Sequence, residues 1–254
     1  MHLLEKGALP DSDPDGAPSA WMTQPEWRLL LEHCLAEERN QNWVAWLHLG
    51  VMRLENLDEH GAAAAWEQSI QARPSACAYR NLAFLRLRQN KIAKAIQLYE
   101  KAWQQSGQEG ALQSALAVEF LHALMDTQQY RRSLEMLKSL PGPIQELDRI
   151  QLIWAQVALE LGMLEKVEQI LGGEDGGGGE FAVIQEGQTL LTDLWFELQA
   201  RKISIRTGET LSEQLRRRVK LELTPPWRID FRSHGREAGS PPPGPNESPN
   251  VNEP

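Results

Sequence analysis

The amino-acid sequence predicts an all-α fold, a row of helical hairpins stacked into a solenoid (an α-α superhelix), with disordered termini. Two patterns and one composition lead there. First, aromatic and small residues return at fixed steps. From Trp46, Gly50 comes four residues later and Ala62 twelve after that; Trp66, Ser69 and Pro74 follow at steps of four, three and five. Second, apolar stretches of helical length are separated by runs of turn-forming residues, "ENLDEHG", "RQNKIA" and "DTQQY". Third, 41% hydrophobic and 24% charged residues over 254 positions are ordinary for a soluble globular chain.

Residues 1–22 read as a disordered linker, since "ALPDSDPDGAPSA" has the Pro, Gly, Asp and Ser content of one. The first helix is expected at "TQPEW". Thr23 would cap it, Glu26 would close a capping box, and Pro25 falls in the first turn, where its missing N–H costs nothing. Residues 23–171 then hold this helix and about four hairpins. The second hairpin repeats the steps of the first through Tyr79, Ala83, Ala95, Tyr99 and Ala102, so that Gly50 and Ala83 stand 33 residues apart (83 − 50). A third keeps the spacing with Ala117, Leu121, Ser133, Leu137 and Leu140. A fourth gathers around Ala155, Val167 and Leu171, with Gly162 and Met163 at its turn.

The residue types suit the geometry. Two antiparallel helices joined by a short turn approach closely where the crossing residues are small, and large aromatics fill the space alongside. Pro74 stops the second helix of its hairpin because it cannot donate the interior hydrogen bond. One hairpin cannot hide its apolar face, so neighbours must stack. Trp46, Gly50, Trp66 and Ala95 are therefore expected to be packing residues.

Residues 172–180 form a glycine-rich linker within "LGGEDGGGGE". A phosphate cradle would need Gly-Lys-Ser or Gly-Lys-Thr between a strand and a helix; this run follows a helix and ends in Glu180. Residues 181–232 are expected to be a helical cap ending in an extended segment, and residues 233–254, with "GSPPPGPNESPNVNEP", a disordered tail that offers nothing to bury.

These motifs resemble the tetratricopeptide repeat, through "WLHLG", through "AAAAWEQSI" with Pro74, and through "AYRNLAFL" with "AKAIQLYEKA". The resemblance spans roughly Asn42 to Leu171, and the 33-residue step is close to the family's period of about 34. It departs from the pattern at Arg53, where an aromatic is usual, and in the third hairpin, where leucines replace small residues. A second resemblance, through "LTDLWFELQARK", the basic helix after it and "TPPWRIDFR", is to the C-terminal end of large bacterial proteins of unknown function. In that family a β-rich domain similar to galactose mutarotases precedes the repeat array. It implies that the chain is the repeat half of such a protein.

Charge and chemistry exclude several functions. A net charge of −9 gives nucleic acid no general reason to bind. From Arg201 to Arg236 ten Lys or Arg face four acids, about +6, which leaves about −15 on the remainder (−9 − 6). That contrast suits either a steered partner or docking of the basic end on the acidic body. "LRRRVK", Leu215 to Lys220, has no interleaved aromatics and is expected to be a solvated helix face. No apolar run approaches the ~18 residues that span a bilayer. Cys34 and Cys77 form no CxxC pair, which favours a reduced, cytoplasmic chain. His33 and Cys34 are adjacent and so diverge on a helix, and His48 and His60 lie on either side of a turn without metal-ligand spacing. Glu37, Glu38, Glu55, Asp58 and Glu59 sit where solvated helix ends carry charge. No catalytic, cofactor or metal site is predicted, and no enzyme activity.

The tetratricopeptide resemblance implies that the first helix of each unit lines the concave face. Helical spacing then places Leu47, Val51 and Leu54, next Arg80, Phe84 and Leu87, and last Val118, His122 and Met125 along a partner groove. Chaperone-binding members hold a peptide carboxylate with Lys, Asn and Arg; here Arg80 and Asn81 are present, but Leu47 and Val51 stand where the first unit would supply polar groups. Two occupants are open: a partner peptide or helix, and the chain's own "WRIDFR", Trp227 to Arg232. The expected function is a non-catalytic scaffold or protein-binding module. The alternative is the accessory half of a carbohydrate-active or carbohydrate-binding protein whose sugar site lies on a β-domain upstream. Neither oligomeric state nor partner follows from the sequence.

Overall fold

A computed structural model describes residues 2–13, 22–107, 111–172, 188–226 and 229–230. Among them there are thirteen α-helices, one 3-10 turn and no strand. The chain divides into two compact units, Met1–Gln129 and Tyr130–Pro254. The first holds α1 (His2–Lys6), α2 (Pro25–Leu35), α3 (Trp43–Glu55), α4 (Glu59–Ala72), α5 (Ala76–Arg88), α6 (Ile92–Gln105) and α7 (Ala111–Asp126). The second holds α8 (Tyr130–Ser139), α9 (Gly142–Gln145), α10 (Asp148–Glu160), α11 (Leu164–Leu171), α12 (Gln188–Thr207) and α13 (Glu213–Glu222). Within each unit, helices adjacent in sequence pack on one another: α2 on α3, α3 on α4, α4 on α5, α5 on α6 and α6 on α7 in the first, and α10 on α11, α11 on α12 and α12 on α13 in the second. No helix among the described residues is long and apolar enough to cross a membrane.

The helix starts follow from capping side chains. Asn42 accepts from the Ala45 N–H at 2.9 Å, Asp58 from Gly61 at 2.8 Å, Ser75 from Ala78 at 3.3 Å and Ser212 from Leu215 at 3.3 Å. At α2 the outcome differs from expectation. The N-cap is Gln24, its side chain makes no cap bond, and Pro25 opens the helix; the Thr23–Glu26 box lies one residue out of step with it. Pro74 acts as expected: Arg73 before it is extended (φ −161°, ψ 117°) and α4 ends at Ala72.

The helix ends repeat one device. Leu57, Asn90, Gln128 and Gly162 all adopt the left-handed conformation, with φ of 62°, 56°, 57° and 73°. After each, the next N–H reaches back five residues, from Asp58 to Arg53 O (2.9 Å), Lys91 to Arg86 O (2.8 Å), Gln129 to Leu124 O (2.8 Å) and Met163 to Ala158 O (2.8 Å). The left-handed residue itself donates to the carbonyl three back, so each end is a Schellman motif. These positions are separated by 33, 38 and 34 residues (57 to 90, 90 to 128, 128 to 162). α3, α5, α7 and α10 thus end alike, at the expected period.

The expected packing residues are buried: Ala62, Trp66, Ser69, Ala83, Ala95, Tyr99, Ala102, Ala117, Leu121, Ser133, Leu137, Leu140, Ala155, Val167 and Leu171. Trp66 donates its indole N–H to Leu47 O at 3.2 Å, and Ser69 its hydroxyl to Trp43 O at 2.8 Å, which ties α4 to α3. Arg53, the departure from the repeat pattern, donates to Glu32 of α2 (3.1 Å) and to Gly61 O of α4 (3.3 Å). It joins three helices where an aromatic would only fill space.

Two expectations at the chain's ends change. Residues 2–13, expected to be part of a linker, are built into the first unit. Leu3 of α1 is buried with Leu31, Leu35 and Leu49, Asn42 donates to Leu9 O at 2.8 Å, and Trp43 donates its indole N–H to Ser12 O at 3.1 Å. The reason is apolar content: Leu3, Ala8 and Leu9 carry enough surface to settle on α2 and α3, although Pro10 and the acids after it have linker composition. In the second unit Ile229 is buried among Leu152, Ala155, Leu191, Leu194 and Leu198, and Thr192 donates to its carbonyl at 2.5 Å. The described part of "WRIDFR" is therefore a core element of α10 and α12. Trp227, Arg228, Phe231 and Arg232, the linker residues 14–21 and 173–180, and the tail 233–254 lie outside the described residues.

Candidate functional site

A hollow of about 200 Å³ lies in the first unit, lined by Val51, Leu54, Trp66, Arg80, Asn81 and Phe84. Its shape follows from helix spacing. Val51 and Leu54 project from one face of α3 and Arg80 and Phe84 from one face of α5, each pair three or four residues apart. Trp66 of α4 closes the floor between them, held there by its bond to Leu47 O. Phe84 is 43% exposed, an unusual outlay for a large apolar ring, and the Arg88 guanidinium stands 6.0 Å above it.

Two polar groups mark the wall. Arg80 grips Glu119 of α7 in a two-pronged pair, Nε to Oε2 at 2.8 Å and Nη2 to Oε1 at 2.5 Å, and its Nη1 donates to Asn81 Oδ1 at 3.2 Å. The Glu119 hydrogen bond holds the Arg80 guanidinium further above its usual range, with burial acting the other way. Asn81 is only 9% exposed. Its Oδ1 is used by Arg80, and its amide nitrogen meets no acceptor among the described residues. Behind this wall Tyr99 of α6 stacks on Phe120 of α7, ring centroids 5.8 Å apart; burial, aided by Glu119, pushes its phenol up to about 12.

Of the nine groove residues expected from sequence, Val51, Leu54, Arg80 and Phe84 meet in this hollow. Leu47 is a core residue packed with Trp43, Trp66 and Leu82, and lines no open surface. It sits a full turn before Val51, where Trp66 covers α3. Leu87, Val118 and Met125 are half-buried and His122 is exposed, none of them in the hollow's wall. Trp66 was expected only as packing and also lines the hollow. Glu119 was not foreseen; nothing in the local sequence couples it to Arg80, 39 residues earlier.

The remaining reactive side chains have structural surroundings. Cys34 and Cys77 are free and buried, and burial pushes both thiols up, away from the thiolate a nucleophile needs. His33 is exposed while the adjacent Cys34 is buried, so the two diverge. His48 is buried, and burial pushes its imidazole down to about 4. Among the described residues no three His, Cys, Asp or Glu side chains are placed to hold a metal ion. In "LRRRVK", Leu215 and Val219 are buried; Arg216 grips both oxygens of Glu197 (2.7 and 3.1 Å), Arg218 pairs with Glu209 (2.6 Å) and Lys220 with Asp193 (3.1 Å). Arg201 adds a bond to Glu197 at 3.0 Å and another to Leu159 O at the end of α10. Burial of Glu197 opposes ionisation, but its two arginines outweigh it and hold the carboxyl below the usual range. No protein-family model, curated protein or solved structure matches the chain.

Proposed function

We propose that this chain is a non-catalytic scaffold, a tetratricopeptide-like stack of hairpins that binds a peptide or a protein segment in the hollow between α3 and α5. The repeat assignment rests on the recurring small and aromatic core positions together with four Schellman turns at matching steps. With both cysteines reduced and buried, the protein works in a reducing compartment, the cytoplasm.

One observation carries the binding assignment: an apolar hollow, walled by Val51, Leu54 and Phe84, meets a nine-tenths-buried amide, Asn81, whose N–H₂ is unengaged. Apolar walls with a few placed polar groups are the usual make-up of a ligand site. An apolar volume of about 150 Å³ accepts a benzene-sized molecule, so the hollow has room for one aliphatic or aromatic side chain. The Asn81 amide is positioned to donate to a main-chain carbonyl of the same segment, which would fix its direction.

The test is to pan a phage-displayed random peptide library on the full chain and to measure enriched peptides on wild type and Phe84→Asp. Phe84 is partly exposed, so the substitution leaves the core alone. Enriched peptides that lose about tenfold or more in affinity on Phe84→Asp support the proposal. A library that yields no binder, or binders indifferent to Phe84, refutes it.

A further inference from the structure

Along the open face of α5, Arg80, Phe84 and Arg88 follow one another at steps of four residues, a cation on each side of an exposed ring. Alone, this stripe would call for an acidic ligand. Both cations are already matched from other helices, however. Glu119 of α7 fills the fork of Arg80 through two hydrogen bonds, and Glu59 of α4 stands 3.6 Å from Arg88. A third arginine of the same helix, Arg86, pairs with Glu67 of α4 at 3.0 Å. The wall of the hollow is thus electrically closed, although it is built with arginine.

We infer that Glu119 is a specificity-determining residue of the hollow: by occupying the Arg80 guanidinium it makes the site select an uncharged, internal peptide segment with one apolar side chain, and reject acidic residues and free carboxy termini. This rests on the peptide-binding function proposed above. A ligand carboxylate that approached Arg80 would meet the Glu119 carboxylate on the same group, and like charges brought together at an interface cost far more than a neutral contact returns. The bidentate fork of a guanidinium also accepts only one carboxylate in its plane. An uncharged aliphatic side chain meets no such obstacle: it has Val51, Leu54 and Phe84 to cover it, and Asn81 N–H₂ for the adjoining carbonyl. The arrangement is reversible by one atom. Replacing a Glu119 oxygen with an amide group removes the negative charge, leaves the size unchanged, and turns Arg80 outward in charge to an incoming acid.

The experiment titrates two terminally blocked peptides, acetyl-Ser-Leu-Ser-Ser-amide and acetyl-Ser-Leu-Asp-Ser-amide, into the full chain, following the Asn81 side-chain amide by nuclear magnetic resonance. Wild type should bind the neutral peptide more tightly, and Glu119→Gln should move the ratio of the two affinities toward the acidic peptide by about tenfold. Arg80→Gln, which keeps the negative charge and removes the cation, should move the ratio the other way and provides an independent check if Glu119→Gln misfolds. Binding of both peptides with a ratio that neither variant changes overturns the role given to Glu119 and leaves peptide binding standing. If neither peptide shifts the Asn81 amide in wild type or in either variant, peptide binding in the hollow falls and the selectivity falls with it.

Discussion

Gly50 of α3 lies flat against the indole of Trp66 on α4: a methyl group at Gly50 would stand 2.2 Å from Trp66 Nε1 and 2.4 Å from Cδ1. The indole cannot retreat, because its N–H is bonded to Leu47 O and its ring is fully buried. The helices touch through a hydrogen atom because nothing larger fits. Gly50→Leu should therefore overpack the hairpin by about 1–3 kcal/mol. Even Gly50→Ala should lower the midpoint of urea unfolding, despite the better helix propensity of alanine. A midpoint equal to wild type for both variants would mean that α3 and α4 do not cross at this residue.

The four Schellman turns make a prediction of opposite sign. Leu57 is held at φ 62° while 83% exposed, so it accepts left-handed strain without a compensating burial. Leu57→Gly should stabilise the protein by about 1 kcal/mol, the cost of the left-handed conformation for a side-chain-bearing residue less the extra chain entropy of glycine. Gly162→Ala, at the matching turn after α10, has open space for the methyl group yet should destabilise for the same reason of backbone conformation. The pair is measured by chemical denaturation, and equal shifts in the same direction would argue against the turn geometry.

Acid should loosen the first unit through His48. Burial pushes its imidazole down to about 4, against about 6.5 in an unfolded chain. The folded form keeps His48 neutral while the unfolded form takes up a proton. Its contribution is full above pH 6.5 and is lost as pH falls toward 4, where it amounts to about 3 kcal/mol. His48→Gln should flatten the fall in stability between pH 6.5 and 4 relative to wild type, whatever it does at pH 7. Parallel stability curves for the two proteins across that window would show that His48 titrates normally.

Which parts of this structure the sequence displays depends on how locally each is encoded. The core positions are legible because a repeat writes the same contact several times: Gly50 to Ala83 and Trp66 to Tyr99 are each 33 residues apart (83 − 50, 99 − 66) and occupy equivalent places. The turns are legible where residue type matches conformation, as at Asn90 and Gly162, and illegible at Leu57 and Gln128, where tertiary packing of the flanking helices imposes a left-handed residue on side chains that do not favour it. The packed start of the chain was hidden because Leu3, Ala8 and Leu9 are too few to show a period. At the hollow, spacing along α3 and α5 finds Val51, Leu54, Arg80 and Phe84. It misplaces Leu47, whose burial is decided by Trp66 on another helix, and it is blind to Glu119, since no pattern within a helix records an ion pair across 39 residues.

The C-terminal strap should prove to be part of the second unit's stability. Ile229 is buried among leucines of α10 and α12, its carbonyl takes the Thr192 hydroxyl, and Pro225 before it is buried too. A strap fixed by a single large apolar side chain is sensitive to that one residue. Ile229→Ala should cost about 2–4 kcal/mol, the usual range for emptying a packed aliphatic site that can partly collapse. Thr192→Val, which keeps the shape and removes the donor, should cost about 1 kcal/mol. Ending the chain at Leu223 should cost at least as much as Ile229→Ala, because it uncovers the same leucines. Thermal unfolding of the three variants decides the matter. If the truncated chain melts with wild type, Ile229 rests on the surface of α10 and α12 and the basic segment that carries it is free to serve elsewhere; if it melts lower and Ile229→Ala follows it, that segment is committed to the fold.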